Sequence, residues 1–218
     1  MTGAPELKVA LASPEIAPFA KTGGLADVLG SLPIALQRLG IKVSLIMPAY
    51  RCVLQGGFPL ETVGTLTVPV SHRNEEATLL RTELGDGIPV YLIRADSYFD
   101  RDYLYTTPDG DYPDNAERFT FFTRAILEIL KLDPPSVLHC HDWQSGLAIT
   151  FLKTQPHLYP QLASVKTLFT VHNPGYQGLF SPTDWHLLNL DRNLFTPGYL
   201  EFFGRINFLK GGLVFANA

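Results

Sequence analysis

The chain has 218 residues, of which 46% are hydrophobic and 17% are charged, a composition that is ordinary for one sizeable globular domain. Its formal net charge is −4 and its pI is about 5.8, and no run of Lys and Arg occurs in the sequence. Binding to nucleic acid needs clustered basic residues, so we expect no nucleic-acid partner.

The first predicted strand leads into a loop that carries a lysine and two glycines. Residues Leu7 to Ser13 are typical of a buried strand, and apolar residues from Leu25 to Leu39 recur at helical spacing until Gly40. The lysine-glycine loop, Lys21 to Gly24, lies between them. N–H groups at a helix start favour anions, and glycines let a phosphate approach the backbone. The pattern indicates a phosphate or nucleotide site, and an ordinary turn with a solvated lysine is the alternative.

The next part of the chain predicts a second strand and then an insertion. Lys42 to Met47 form a strand that completes a β-α-β unit. Three short strands with polar turns between them, within residues 58–95, predict an inserted β-hairpin region that decorates the main sheet. Residues Asp96 to Asn115 are rich in Asp, Tyr and Gly, which predicts a structured surface loop or a lid.

Helices and strands alternate through the following residues. The pattern predicts a helix over Glu117 to Lys131, a strand over Val137 to Cys140, a helix over Gln144 to Lys153 and a strand over Lys166 to Val171. Such alternation is typical of an α/β fold with a Rossmann-like, doubly wound and mostly parallel sheet. Ligands of this architecture gather beyond the carboxyl ends of the strands.

Polar clusters follow three of the predicted strands. They span Glu15 to Asp27, His139 to Trp143, and His172 with Asn173. The carboxyl ends of parallel strands share one rim of the sheet, so we expect the three clusters to converge there. This convergence is the main sequence evidence for a site.

Several structural roles remain open for these polar residues. Alternation places His139 and His141 on one side of their strand, which suits metal ligands, but no second ligand cluster accompanies them, and we predict no metal site. His139 could instead be a core histidine, and Asp142 the cap of the next helix. His172 and Asn173 could cap their own loop.

Cysteine usage and hydropathy indicate the compartment. Cys52 and Cys140 are far apart and lack metal-type or disulfide spacing, which favours a reducing cytosol. The first residues lack a secretory or transit pattern, and no apolar segment reaches transmembrane length. We therefore expect a cytoplasmic protein without a membrane partner, or a plastid protein if the source is a plant.

Four segments, in this order, closely resemble the bacterial glycogen synthases and plant starch synthases, the family 5 retaining glycosyltransferases. They are Pro14-Glu15 with Lys21 to Asp27, Asp111 to Asn115, His139 to Trp143, and His172 to Gly178. The resemblance implies a GT-B enzyme of glycogen biosynthesis, with two Rossmann-like domains facing a cleft. It implies transfer of glucose from ADP-glucose to the non-reducing end of an α-1,4-glucan with retention, with no metal or cofactor. Residues 1–218 would be the amino-terminal, acceptor-side domain, lacking the carboxyl-terminal nucleotide-binding domain and inactive or nearly so alone.

The resemblance also implies the site residues. The catalytic ones would be His172, Asp142 and Lys21, and the substrate-binding ones Glu15, Lys21, Gly23, Gly24, Asp27, Tyr105, Trp143 and Asn173. Lys21 and the two glycines would line the diphosphate, whereas His172 and Asn173 would approach the transferred glucose. Glu15, Tyr105, Asp142 and Trp143 would contact acceptor or sugar. Asp27 could equally cap the helix or order the loop.

Three questions remain open from the sequence. Trp143, Tyr105, Tyr112 and Tyr176 offer flat faces for sugar rings, but such aromatics also pack in cores. A non-catalytic glucan-binding or regulatory module would have the same motifs. The chain could also belong to a related transferase that uses UDP-glucose.

Overall fold

The computed structural model describes residues 6–218, and its elements follow the predicted alternation. The strands are β1 Lys8–Ala12, β2 Lys42–Pro48, β3 Glu61–Val70, β4 Arg73–Leu84, β5 Ile88–Arg94, β6 Thr106–Thr107, β7 Gly110–Asp111, β8 Val137–His141, β9 Lys166–Thr170, β10 Leu179–Phe180, β11 Glu201–Phe202 and β12 Arg205–Asn207. The helices are α1 Gly24–Arg38, α2 Arg51–Leu54, α3 Asp96–Phe99, α4 Asn115–Leu130, α5 Trp143–Thr154, α6 Trp185–Leu188 and α7 Phe208–Phe215.

The central sheet has seven strands in the order β3-β4-β5-β2-β1-β8-β9. From β5 to β9 every neighbouring pair is parallel, whereas β3, β4 and β5 are joined by antiparallel pairs. The α/β fold with a mostly parallel, Rossmann-like sheet is therefore confirmed. The order places β1 between β2 and β8, which is the point where the direction of strand addition reverses.

Helices cover both faces of this sheet. Crossovers between parallel strands are right-handed, and the chain moves one way from β1 to β2 and the opposite way from β5 to β8 and β9. It follows that α1 lies on one face and that α4 and α5 lie on the other. The strands between them are buried on both sides, as the burial of successive residues over 9–12 in β1 and 45–48 in β2 shows.

The predicted insertion is only partly separate from the main sheet. The β3–β4 pair is the expected hairpin, and it extends one edge of the sheet. The sequence pattern groups β5 with the insertion, but β5 pairs in parallel with β2, with Leu45 opposite Val90 and Pro48 opposite Ile93. The only sequence signal near β5 is the local turn at Gly85–Gly87, whereas the parallel pairing joins residues that are forty-five positions apart.

The polar segment before α4 is ordered by a buried arginine. It contains the short helix α3 and the β6–β7 pair, as expected of a structured loop. Arg118 of α4 is fully buried and donates to the carbonyl oxygens of Tyr98 at 2.7 Å and Leu104 at 3.0 Å, and to Asn115 Oδ1 at 2.7 Å. Burial lowers the pKa of Arg118. The loop is thereby anchored to the helix that follows it.

No helix within residues 6–218 combines the length and the apolar composition needed to cross a bilayer.

Candidate active-site rim

The polar clusters lie along one rim of the parallel sheet. β1, β8 and β9 are adjacent and parallel, with Ala12 opposite Cys140 and His141 opposite Thr170. The segments that follow these strands therefore leave from the same side. This arrangement is the convergence that the sequence predicted, and it lies where ligands of open α/β sheets collect.

Glu15 orders the loop between β1 and α1. Its side chain is 4% exposed, and its carboxylate accepts from the Thr22 N–H at 2.5 Å, the Thr22 hydroxyl at 2.6 Å and the Gly23 N–H at 3.4 Å. The Tyr105 hydroxyl donates to the same carboxylate at 2.8 Å. The sequence predicts that Glu15 contacts acceptor or sugar, and in the structure its carboxylate makes these four internal bonds. They tie the lysine-glycine loop to the loop before α4.

The lysine-glycine loop is open at its glycines. A Cβ atom at Gly23 or at Gly24 would meet no atom within 4 Å, and neither backbone lies in the left-handed region. Neither internal packing nor local backbone geometry therefore requires glycine at these two positions. Because glycine has no side chain, the first N–H groups of α1 are directly accessible. The first four N–H groups of a helix have no partner within the helix.

Lys21 and Asp27 form an ion pair at the edge of this loop. Lys21 Nζ lies 2.6 Å from Asp27 Oδ1, and both side chains are more than half exposed. Such a surface pair contributes at most about 1 kcal/mol, so a ligand anion can compete for the lysine. Asp27 does not cap α1, because the cap position is Gly23 and has no side-chain bond. The loop-ordering alternative for Asp27 agrees with the structure, and the capping alternative does not.

Asp142 has a strained backbone at the end of β8. Its φ of 57° and ψ of 175° lie in a region that is essentially restricted to glycine, at a cost of about 1–3 kcal/mol. The sequence allowed Asp142 to be the side-chain cap of α5, but its carboxylate makes no such bond. It accepts instead from the His172 N–H at 2.7 Å. Burial raises the pKa of Asp142, and this N–H opposes the rise. Ser145, which sequence reasoning missed, accepts from the His141 N–H at 2.7 Å and holds the turn.

Three histidine rings lie in a row beside Asp142. The ring centroids of His139 and His141 are 4.0 Å apart, and those of His141 and His172 are 5.3 Å apart. His139 Nε2 contacts the Thr170 hydroxyl at 2.8 Å, and His141 Nδ1 lies 3.0 Å from His172 Nε2. Burial lowers the pKa of His139 to about 4, and that of His141 further. The same-side prediction for His139 and His141 is confirmed, and His139 is a satisfied, nearly buried histidine.

The loop after β9 is shaped by Asn173 and Gly178. Asn173 is exposed, and its Oδ1 accepts from the Gly175 N–H at 3.0 Å, which is the Asx-type turn that the sequence allowed. Gly178 has a φ of 61°, and a Cβ there would lie 2.5 Å from the Trp143 ring. Close packing on Trp143 therefore explains this glycine, in contrast to Gly23 and Gly24.

Of the four aromatic side chains considered for sugar contacts, only Tyr176 presents a largely free surface. It is 69% exposed, whereas Trp143 is 8% exposed and packs within 4.9 to 6.3 Å of Phe119, Phe180 and Phe208. The Tyr105 hydroxyl is taken by Glu15, and the guanidinium groups of Arg101 and Arg118 lie over the Tyr112 ring. The packing alternative thus describes Trp143 in this structure.

Among residues 6–218 no group of three His, Cys, Asp or Glu side chains is arranged to hold a metal ion. The His141 and His172 nitrogens that face each other are at hydrogen-bond distance. Both cysteines of the chain are free thiols; Cys52 is exposed and Cys140 is buried in β8.

Comparisons with known proteins agree on one family. The family described as the starch synthase catalytic domain matches residues 8–218. The chain is 46% identical over 212 residues to the glycogen synthase of Koribacter versatilis, and 43% identical over 214 residues to glycogen synthase 2 of Geobacter sulfurreducens. Each match covers 97% of this chain and 44% of the relative, so the chain spans less than half the length of these curated relatives.

A solved structure is also similar. It is the catalytic domain of starch synthase IV from Arabidopsis thaliana bound to ADP and acarbose, with a TM-score of 0.85 and 31% sequence identity. The match covers 98% of this chain and 44% of that one. The described fold thus corresponds to one of the two halves of a GT-B glycosyltransferase.

Proposed function

Because the chain belongs to the starch synthase catalytic domain family, we propose that it is the amino-terminal, acceptor-side half of a glycogen synthase. In this proposal the whole enzyme transfers glucose from ADP-glucose to the non-reducing end of an α-1,4-glucan with retention. The cleft would lie between this half and a nucleotide-binding half, so the isolated chain would be inactive or nearly so. The enzyme would act in the cytoplasm.

The observation that carries the proposal is the shared rim. Lys21, Asp142 and His172 follow three adjacent parallel strands and lie on the side where such sheets bind ligands. A glucosyl transfer needs a cation near the departing diphosphate and fixed polar groups near the sugar. The rim offers both kinds of group after strands that are neighbours in the sheet.

We propose that the diphosphate of the donor meets the lysine-glycine loop. The open N–H groups of α1 point their partial positive charge toward the rim, and Gly23 and Gly24 leave room for phosphate oxygens. Lys21 would then leave its ion pair with Asp27 and bind the diphosphate, where it would stabilise the charge that grows on the leaving group. Glu15 would act indirectly, by holding the backbone of this loop in place.

The sugar side would be built from the ends of β8 and β9. Asp142 keeps further acceptor capacity beyond its bond to the His172 N–H and would hold a sugar hydroxyl. His172 and the amide nitrogen of Asn173 would contact the transferred glucose, and Tyr176 offers an exposed ring to the glucan. Strain at Asp142 is consistent with a functional position. Fixed donors and charges suit an oxocarbenium-like transition state, and we assign no nucleophile.

The test is a chimera in which this chain replaces the matching 44% of the Koribacter versatilis glycogen synthase. We expect synthase activity, and we expect Lys21→Ala to lower kcat/KM by about 100-fold, in line with removal of one charged group at a transition state. Lys42→Ala is the matched control, because Lys42 is also an ion-paired lysine but lies at the opposite end of the parallel strands. An active chimera in which Lys21→Ala and Lys42→Ala behave alike would refute the role of Lys21.

The same experiment addresses the alternatives. A glucan-binding or regulatory module would yield a folded chimera that retains maltoheptaose without transferring glucose. The solved relative was bound to ADP, which favours ADP-glucose over UDP-glucose as the donor. Assays of the protein that carries this chain with both donors test that preference directly.

A further inference from the structure

The direct contact between His141 and His172 determines which ring nitrogen of each histidine carries a proton. The two nitrogens are 3.0 Å apart, so one must donate and the other must accept. His141 is 1% exposed, and its other ring nitrogen, Nε2, is buried without a hydrogen-bond partner. This asymmetry distinguishes the two possible positions of the proton on His141.

In the first arrangement His141 carries its proton on Nε2 and accepts from His172. This would bury an N–H group of His141 with no acceptor. In the second arrangement His141 carries its proton on Nδ1 and donates to His172, which leaves only an unused lone pair on Nε2. In folded proteins, buried N–H groups without an acceptor are rarer than buried acceptors without a donor. The second arrangement is therefore the stable one.

A doubly protonated His141 is disfavoured by its surroundings. The groups that act on it electrostatically are the imidazoles of His139 and His172, which supply no negative charge. Burial together with these neighbours lowers the pKa of His141, so the ring is neutral near pH 7. A neutral His141 has one proton to place.

We propose that His141 is a positioning residue that fixes His172 as the tautomer with its proton on Nδ1. A His172 Nε2 that accepts from His141 cannot hold a proton, so the neutral ring carries it on Nδ1. His172 then acts toward a ligand as a hydrogen-bond donor. Without His141, the ring is free to place the proton on Nε2 and to present Nδ1 as an acceptor instead.

This matters for the rim if the proposed function holds, because that function has His172 contacting the transferred glucose. The tautomer decides whether His172 gives a hydrogen bond to a sugar oxygen or receives one from a sugar hydroxyl. A donor strengthens as negative charge grows on the oxygen that it contacts, whereas an acceptor does not. The inferred tautomer itself needs no substrate and stands apart from that function.

The direct test is the 15N chemical shifts of the histidine ring nitrogens in the 218-residue chain, recorded by long-range 1H–15N correlation near pH 7. His172→Gln identifies the signals of His172 by their loss. We expect the His172 pattern of a neutral ring protonated on Nδ1. A wild-type His172 protonated on Nε2 would overturn the inference, whatever the outcome of the activity assays.

Two variants of position 141 separate positioning from simple packing. The side-chain amide nitrogen of Asn superposes on His Nδ1, so His141→Asn should keep the donor and leave the His172 tautomer unchanged. His141→Leu fills similar space without a donor and should shift His172 toward the Nε2 proton. In the chimera we expect His141→Leu to lower kcat by about tenfold or more and His141→Asn by less than about threefold, with KM for the donor changed little in both. Equal losses in the two variants, with both folded, would also overturn the positioning role.

Discussion

The Asp142 carboxylate and the His172 backbone N–H are joined by a hydrogen bond of 2.7 Å, which links the segment after β8 to the segment after β9. A second hydrogen bond joins the same two segments, because the Asp142 N–H donates to the Thr170 carbonyl at 3.0 Å. The two strand ends are thus fastened to each other at the rim, and the unusual backbone of Asp142 lies at this junction.

Substitutions at Asp142 should separate backbone strain from side-chain bonding. Asp142→Ala and Asp142→Gly both remove the acceptor of the His172 N–H, but only glycine relieves the positive φ of 57°. We expect the glycine variant to be more stable than the alanine variant by about 1–3 kcal/mol in urea unfolding. Equal unfolding free energies for the two variants would show that the backbone at this position is not strained.

Glu15 should tolerate an amide far better than a truncation. One carboxylate oxygen accepts two backbone N–H groups, and the other accepts two hydroxyl groups, which can rotate. Glu15→Gln can therefore keep its oxygen on the backbone and donate to the hydroxyls, so we expect a loss below about 1 kcal/mol. Glu15→Ala removes all four of these partly buried bonds and should cost about 2–4 kcal/mol. A Gln variant as unstable as the Ala variant in urea would contradict this account.

The glycines of the rim should divide into two classes. Gly24→Ala places a methyl group in open space on a helix and should leave stability unchanged or raise it by up to about 1 kcal/mol, while it lowers kcat/KM of the chimera. Gly178→Ala puts a methyl group against the Trp143 ring at a positive φ and should destabilise the chain by about 2 kcal/mol or more. Gly64→Ala, also in open space but in β3, is the control for Gly24→Ala. Full activity of the Gly24→Ala chimera would count against phosphate contact there.

The histidines should make stability fall in mild acid. The pKa of His139 drops from its usual 6.5 to about 4 on folding, so the unfolded chain binds the proton first as the pH falls. Its stabilising contribution is present above pH 6.5 and is lost on the way to pH 4. Asp142, whose folded pKa is raised, acts with the opposite sign at low pH.

We therefore compare urea unfolding at pH 7 and pH 4.5 for the wild type and for His139→Gln. The Gln amide keeps a donor for the Thr170 hydroxyl but does not titrate in this range. The loss of stability on acidification should be smaller in the variant by about 2 kcal/mol. An identical pH dependence would show that His139 is not the titrating group. His141 adds to the loss in both proteins.

Much of the fold and of the rim was predictable from the sequence, because both depend on local patterns. Apolar runs and helical spacing placed β1, α1, β8 and β9 within one or two residues of their observed bounds. The parallel rule then brought the strand-end clusters together. Which strands pair with each other was harder to predict, since nothing in the residues of β5 distinguishes a strand beside β2 from a strand of the hairpin.

The details of the rim that were not predicted come from contacts between distant segments. Glu15 meets Tyr105 across ninety residues of chain, and His141 meets His172 across thirty-one. The motifs predict a ligand contact for Glu15 and no specific role for His141, and only the structure shows the internal partners of both. For Trp143 the sequence leaves sugar contact and core packing both open, and only the structure shows that the ring packs against Gly178.

Arg118 has a consequence for how far the loop before α4 can diverge. Two of its three partners are main-chain carbonyl oxygens, those of Tyr98 and Leu104, which every amino acid supplies. The anchor therefore recognises the course of the peptide and not the identity of the side chains along it. An exposed side chain between those two carbonyls, such as that of Tyr103, can therefore change without loss of this anchor, and the chain still returns Tyr105 to the same place.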